Sequence, residues 1–235
     1  MFDSHLHLAT DEVLAAARAV GVNGFLLAGV EPTGWAEQKD IAHRHPDVLA
    51  SVGIHPQVVD ASTTIDTLAA ALDGAVAIGE IGLDALTPER RALLPFQREV
   101  FRAQLALARE RDLPVLLHIL RTHEDALKIL REDGLPKAGG VVHSYSGSVD
   151  LLDRYLPLGL HIALGASVTF HNATRSLAIA AAIPRDRLLI ETDAPPNTPA
   201  FLPSVCAAVA RCRNETVDEV ARFTEENARR LLKVN

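Results

Sequence analysis

Cysteine is scarce in this chain: Cys206 and Cys212 are the two present among 235 residues. On a helical pattern and without C-x-x-C spacing, they offer no disulfide framework and read as reduced structural thiols. Aromatics are also few, at 4%, so a core drawn from the 48% hydrophobic residues must be mainly aliphatic. Positive charge is in deficit: 23 Lys and Arg against 30 Asp and Glu leave a net charge of -7. That argues against a broad basic surface gripping nucleic acid, though a local basic rim or a bound dication could still receive phosphate. Long apolar runs are missing as well. The longest, such as 177–183, fall far short of the ~20 residues a membrane helix needs, so no membrane association is expected. No basic segment with a following apolar run precedes the first motif; with the reduced thiols this makes the cytoplasm the expected location.

What is present is a regular alternation of short apolar runs with longer amphipathic ones. Candidate strands lie at 1–5, 24–29, 48–53, 75–81, 114–119, 140–144, 161–165 and 188–192. Helical patterns fill the gaps at 11–20, 33–44, 63–72, 88–111, 124–132, 149–156, 174–182 and 203–211. Thr87-Pro88-Glu89 is a helix start, with a hydroxyl N-cap, proline in the first turn and an adjacent acid. Thr216 to Glu219 is a capping box that opens a further helix. Strands of continuous apolar character, each followed by a helix, fit a parallel sheet buried on both faces. The expected fold is therefore α/β, a (β/α)8 TIM barrel, forming a single domain over 1–235 with no linker or internal repeat. An open doubly wound sheet is the alternative, but it could not easily converge residues from first and last strands on one site.

Ligand-type side chains cluster at the ends of these apolar runs. His5 and His7 in Asp3-Ser4-His5-Leu6-His7 stand two apart on an extended segment and so share a face. Glu80, His118, His143 and Asp193 follow at the ends of strands four, five, six and eight. In a barrel those ends form one face, where active sites lie. Imidazoles and carboxylates buried together without a cation would carry a large desolvation cost. Among the other histidines, His43, His45, His123, His161 and His171 read as surface, loop or strand-start residues. Four imidazoles and two carboxylates exceed what one open four-coordinate ion needs, which points to two divalent metals sharing a carboxylate. The nitrogen-rich shell favours Zn, Mn, Fe, Co or Ni; a pure Mg site would show more carboxylate and water. Because imidazoles ligate when neutral, occupancy is expected to fall as pH drops through about 6.

The ordered set Asp3-x-His5-x-His7, Gly53-Ile54-His55-Pro56, Gly79-Glu80-Ile81-Gly82-Leu83-Asp84, Pro114-x-x-x-His118, His143-x-Tyr145-Ser146-Gly147 and Glu191-Thr192-Asp193-x-Pro195 resembles the TatD family of metal-dependent hydrolases. Asn227-Ala228-x-x-Leu231 is similar to that family's C-terminal helix. The resemblance implies that His5, His7, Glu80 and Asp193 hold one metal and Glu80, His118 and His143 the other, with Glu80 bridging. It implies that Asp193 orients or deprotonates the attacking water, and that His55 contacts substrate at the pocket mouth. Asp84 is expected to organise the loop after strand four. The chain departs from the family pattern at Leu120, where arginine is usual, at Gln57, where a second histidine often stands, and in the short uncharged segment 197–203. These departures thin the cations that would clamp phosphate. The function implied is a phosphodiesterase, a deoxyribonuclease with DNA as substrate rather than stable partner. The alternative is hydrolysis of ester, amide or lactone bonds, such as aminoacyl esters, on the same dinuclear site. A barrel acting only as a scaffold would not need an open site of this kind.

Overall fold

The computed structural model describes residues 1–7 and 9–234. Its strands are β1 (Phe2–Leu6), β2 (Gly24–Leu27), β3 (Val48–Val52), β4 (Ala77–Asp84), β5 (Val115–Leu120), β6 (Gly140–Val142), β7 (Leu160–Leu164) and β8 (Leu188–Ile190). They lie in sequence order in one eight-stranded sheet, each parallel to the next. The connections carry α1 (Asp11–Ala19), α2 (Pro32–Arg44), α3 (Asp66–Ala71), α4 (Pro88–Ala92), α5 (Leu94–Arg111), α6 (His123–Asp133), α7 (Val149–Tyr155) and α8 (Thr174–Ala182), and after β8 come α9 (Leu202–Arg213) and α10 (Val217–Leu232). The sheet closes just past β8, where Leu6 bridges Ala194 in parallel. There the Asp193 N–H donates to the His5 carbonyl at 2.9 Å, and the His7 N–H to the Ala194 carbonyl at 2.8 Å. Asp3 clasps this seam, accepting the Thr192 N–H at 2.9 Å and the Thr192 hydroxyl at 2.5 Å. The result is the (β/α)8 barrel expected from the alternation of runs.

Apolar residues pack in two layers. Leu6, Phe25, Val52, Ile78, Leu117 and Ile162 belong to the larger cluster, which they form with helix residues such as Leu14, Trp35, Phe101 and Leu127. The other holds Leu26, Ala28, Ala77, Leu116, Val141, Ala163 and Leu189 with Ala228, Leu231 and Leu232 of α10. Residues from so many strands meet only inside the barrel, so α10 closes its N-terminal mouth. Along β5, β6 and β8 the inward face passes from Leu116, Val141 and Leu189 to His118, His143 and Glu191, two residues further on. Apolar packing at one level thus sets the direction of the polar side chains above it.

The expected helix over 88–111 is broken at Leu93, whose φ of -86° and ψ of -1° separate α4 from α5. Pro95 has no N–H to give to the Arg91 carbonyl, and the buried Gln97 amide takes up part of the slack by donating to the Arg90 carbonyl at 3.0 Å. Two turns along the same helix, Gln104 accepts the Ile54 N–H at 2.8 Å and donates to the Ile54 carbonyl at 3.1 Å. Gln97 also accepts the Asp84 N–H at 2.8 Å, so helix α5 pins both the end of β4 and the residue before His55. Gly82, at φ +144°, is required beside β5: a Cβ there would stand 2.0 Å from the His118 carbonyl oxygen.

His161, on β7, is only 6% exposed, and neither ring nitrogen has a hydrogen-bond partner among the described residues. Burial, reinforced by Arg187, pushes its pKa down to about 4. The unfolded chain takes up this proton near pH 6.5 and the folded chain resists it, so stability is lost as pH falls from 6.5 towards 4. The loss attributable to this side chain is about 3 kcal/mol, 1.36 kcal/mol for each unit of difference. Urea unfolding of His161→Leu and wild type at pH 7.5 and 4.5 should show the variant gaining about 2.5 kcal/mol of relative stability in acid, most of that loss. A pH-independent difference would contradict this account.

Candidate metal centre

Glu80 is the hub of the C-terminal face. Its Oε2 lies 3.1 Å from His5 Nε2 and 3.4 Å from His7 Nε2. Its Oε1 lies 2.7 Å from His118 Nδ1, 3.0 Å from His143 Nε2 and 3.1 Å from His55 Nε2. Asp193 Oδ1 completes the first group at 3.5 Å from His7 Nε2 and 4.0 Å from His5 Nε2. Donors about 2.1 Å from one tetrahedral ion stand about 3.4 Å apart, so the first group has the spacing of a ligand set. The second group is drawn tighter around Oε1. Three combinations bring their donor atoms within 4.8 Å of one another: His5, His7 and Asp193; His5, His143 and Glu191; and His55, Glu80 and His118.

Hydrogen bonds on the far side of each ring decide which nitrogen is free to ligate. His7 Nδ1 lies 3.2 Å from the Ala28 carbonyl, which can only accept, so Nδ1 keeps its proton and Nε2 is the nitrogen left to ligate once the proton it shares with Asp193 is lost. His118 Nε2 donates to Asp84 Oδ2 at 3.2 Å, leaving Nδ1 for the centre. His143 Nδ1 donates to Glu191 Oε1 at 3.3 Å, leaving Nε2. His55 is the reverse case. Its Nδ1 accepts the Gln57 N–H at 3.0 Å, so its Nε2 carries a proton and presents a donor. The structure places His55 deeper than a pocket mouth, 5% exposed and against Glu80, because this turn and the grip of Gln104 on Ile54 draw it inward.

The electrostatics follow from burial among opposite charges. Burial alone would raise Glu80, but the imidazoles of His143, His5 and His55 hold it well below the usual carboxylate range. His143 moves well upward: burial opposes its charge, and Glu80 and Glu191 outweigh the burial. Burial lowers His5. Asp193 is brought down to about 2, against burial, by the hydrogen bond to His7 and the charges of His143 and His5. With a side chain 40% exposed against 1% for Glu80, Asp193 is the more open of the two carboxylates at the pocket. It sits at φ +52°, and Ser144 and Arg121, just past β6 and β5, also take positive φ. Two residues escaped the sequence reading as parts of the centre, Glu191 and the contact of Asp84 with His118. Each stands on the inward face of a strand that carries a ligand candidate, an even number of residues away, which is the signal that could have found them.

The pocket above the centre has a volume of about 430 Å³ and is lined by His7, Val30, His55, Gln57, Glu80, His118, His143, Asp193 and Pro195. It contains no lysine or arginine. Arg90 is held by Asp84 at 2.8 Å, and Arg175 by the Ser146 and Gly147 carbonyls.

A parallel barrel whose strand ends deliver imidazoles and carboxylates around one shared carboxylate defines a class, the metal-dependent hydrolases. The family model of the TatD-related DNases matches residues 2–233, and the chain belongs to this family. It is 33% identical to the uncharacterized metal-dependent hydrolase YabD of Bacillus subtilis, over 100% of both chains. It is 35% identical to the 3'-5' ssDNA/RNA exonuclease TatD of Edwardsiella piscicida, covering 95% of this chain and 93% of that one. Among solved structures, the TatD homologue YjjV of Escherichia coli K12 superposes with a TM-score of 0.93 at 30% identity, covering 100% of this chain and 98% of that one.

Proposed function

We propose that this protein is a divalent-metal-dependent phosphodiesterase that removes nucleotides from the ends of single-stranded DNA. Residues 1–235 act as one catalytic domain, in the cytoplasm. The observation that carries this reading is the division of Glu80, with one oxygen facing His5 and His7 and the other facing His118 and His143. In this reading His5, His7, Glu80 and Asp193 would hold one ion and Glu80, His118 and His143 the second. Such a pair, when bound, supplies a nucleophilic water at neutral pH and charge compensation for the attacked and leaving oxygens. Asp193 would accept a hydrogen bond from that water and aim it. The His55 Nε2–H, 3.1 Å from Glu80 Oε1, would share its proton with a substrate oxygen, a role its tautomer suits and that of a ligand would not. The named exonuclease activity of a relative 35% identical supports DNA ends as substrate.

A second reading draws on the lining of the pocket. With no cation there, and with Asp11, Glu12 and Glu37 against a single Arg44 in the adjoining cleft of about 460 Å³, a neutral or cationic ester is the substrate better matched in charge. The test sets single-stranded DNA, labelled at either end, and bis-p-nitrophenyl phosphate against aminoacyl and p-nitrophenyl carboxylic esters, with and without chelator. Chelator-sensitive cleavage of DNA, with kcat/KM at least about 100-fold above the carboxylic esters (some 2.7 kcal/mol at the transition state), is expected. Chelator-sensitive ester cleavage with intact DNA would replace the first reading by the second.

A further inference from the structure

Three of the four candidate ligand histidines have an acceptor on the outer ring nitrogen: Ala28 for His7, Asp84 for His118, and Glu191 for His143. His5 is the exception. Its Nδ1 is buried and has no hydrogen-bond partner among the described residues. Glu191, 0% exposed, is the matching exception among the carboxylates. Its Oε1 accepts the Ser144 N–H at 2.6 Å and the His143 Nδ1–H, while its Oε2 is buried without a partner. The two orphans belong to one cluster, since donor atoms of His5, His143 and Glu191 all lie within 4.8 Å of one another. The His5 and His143 rings stack on each other, centroids 3.9 Å apart and planes inclined by 15°.

We propose that Glu191 is a positioning residue shared by both metal sites, with one oxygen orienting His143 and the other, directly or through one bridging water, orienting His5. This rests on the two-metal reading above. The reason is chemical. An imidazole whose far nitrogen is not fixed as a donor populates two tautomers, and the one protonated at Nε2 cannot ligate. Among the described residues nothing else holds the proton of His5 on Nδ1. Leaving a carboxylate oxygen and an imidazole nitrogen both unpaired would also cost several kcal/mol. One buried carboxylate serving a histidine of each site ties the two affinities together. Asp84, by contrast, serves His118 alone among the ligand candidates.

Glu191→Gln separates these roles. The amide keeps the volume but presents an N–H on one side, towards either His5 Nδ1 or the pair formed by His143 Nδ1 and the Ser144 N–H. Either arrangement turns a ligand imidazole to the wrong tautomer or breaks the hold on the β6 loop. Zinc binding to the metal-free full chain, measured by calorimetry with elemental analysis, should show two ions in wild type. In Glu191→Gln both should be weakened, by roughly 10- to 100-fold. Asp84→Asn should weaken one. Thermal melting of the metal-free proteins separates this from simple destabilisation, since a structural role alone would lower the midpoint and leave zinc affinity intact. Nitrogen-15 spectra of the imidazoles in zinc-loaded wild type need no variant, and they should show His5 and His143 both protonated at Nδ1. His5 protonated elsewhere, or two zinc ions bound to Glu191→Gln with wild-type affinity, would overturn the assignment. Fewer than two ions in wild type would instead remove the two-metal reading on which it rests.

Discussion

Replacing Glu80 with glutamine is expected to lower kcat/KM by about 1,000-fold or more, some 4 kcal/mol of transition-state stabilisation, and to cost the protein at least one bound metal. Glu80 is 1% exposed, and its two oxygens face separate imidazole groups. Glutamine keeps the shape but offers one acceptor and one N–H donor where two acceptors stood. Whichever way the amide turns, an N–H faces imidazole lone pairs on one side, so one ligand set meets a donor in place of an anion. The lost charge also leaves the imidazoles without the carboxylate that attracts a dication. Elemental analysis and steady-state kinetics at saturating metal check both parts. Two ions per chain with activity within tenfold of wild type would remove Glu80 from the bridging position.

The sequence carried the architecture because each strand is a short apolar run and each run is followed by an amphipathic one. Burial on both faces writes that pattern directly. Element ends were less legible. Strand β4 runs to Asp84, past the expected end at 81, because Gly82 lets it stay paired with β5 through His118. The helix over 88–111 divides because Pro95 interrupts a periodicity that is otherwise intact. At the centre, the six ligand candidates could be read because each ends an apolar run, and the structure gathers them around Glu80. What could not be read is what holds them. The acceptor for His7 is the Ala28 carbonyl, which has no side-chain signature. The depth of His55 depends on Gln57 and on Gln104, fifty residues along the chain. The pairing of Asp3 with Thr192 exists only once the barrel has closed. These contacts depend on which strands become neighbours, and periodicity does not encode that.

Asp193→Asn is expected to lower kcat by about 100-fold or more while most of the bound metal is retained, the scale of losing a group that handles the proton of the attacking water. The substitution is mild for the backbone, since asparagine tolerates the left-handed φ of +52° nearly as well as aspartate does. What changes is the exposed oxygen, from a full acceptor to half an amide. The pH profile then distinguishes how the carboxylate works. The hydrogen bond to His7 and the charges of His143 and His5 outweigh burial and hold it near 2, and a bound dication would lower it further. A group with so low a pKa stays ionised across any working pH, so it orients the water by accepting a hydrogen bond and contributes no titration of its own between pH 5 and 8. The acid limb of the wild-type profile belongs to protonation of the histidines, which competes with metal. Asp193→Asn should therefore lower the plateau of log kcat against pH and leave the position of the acid limb where it was. A variant that lost the acid limb together with the lowered plateau would make Asp193 a titrating base and reverse this assignment.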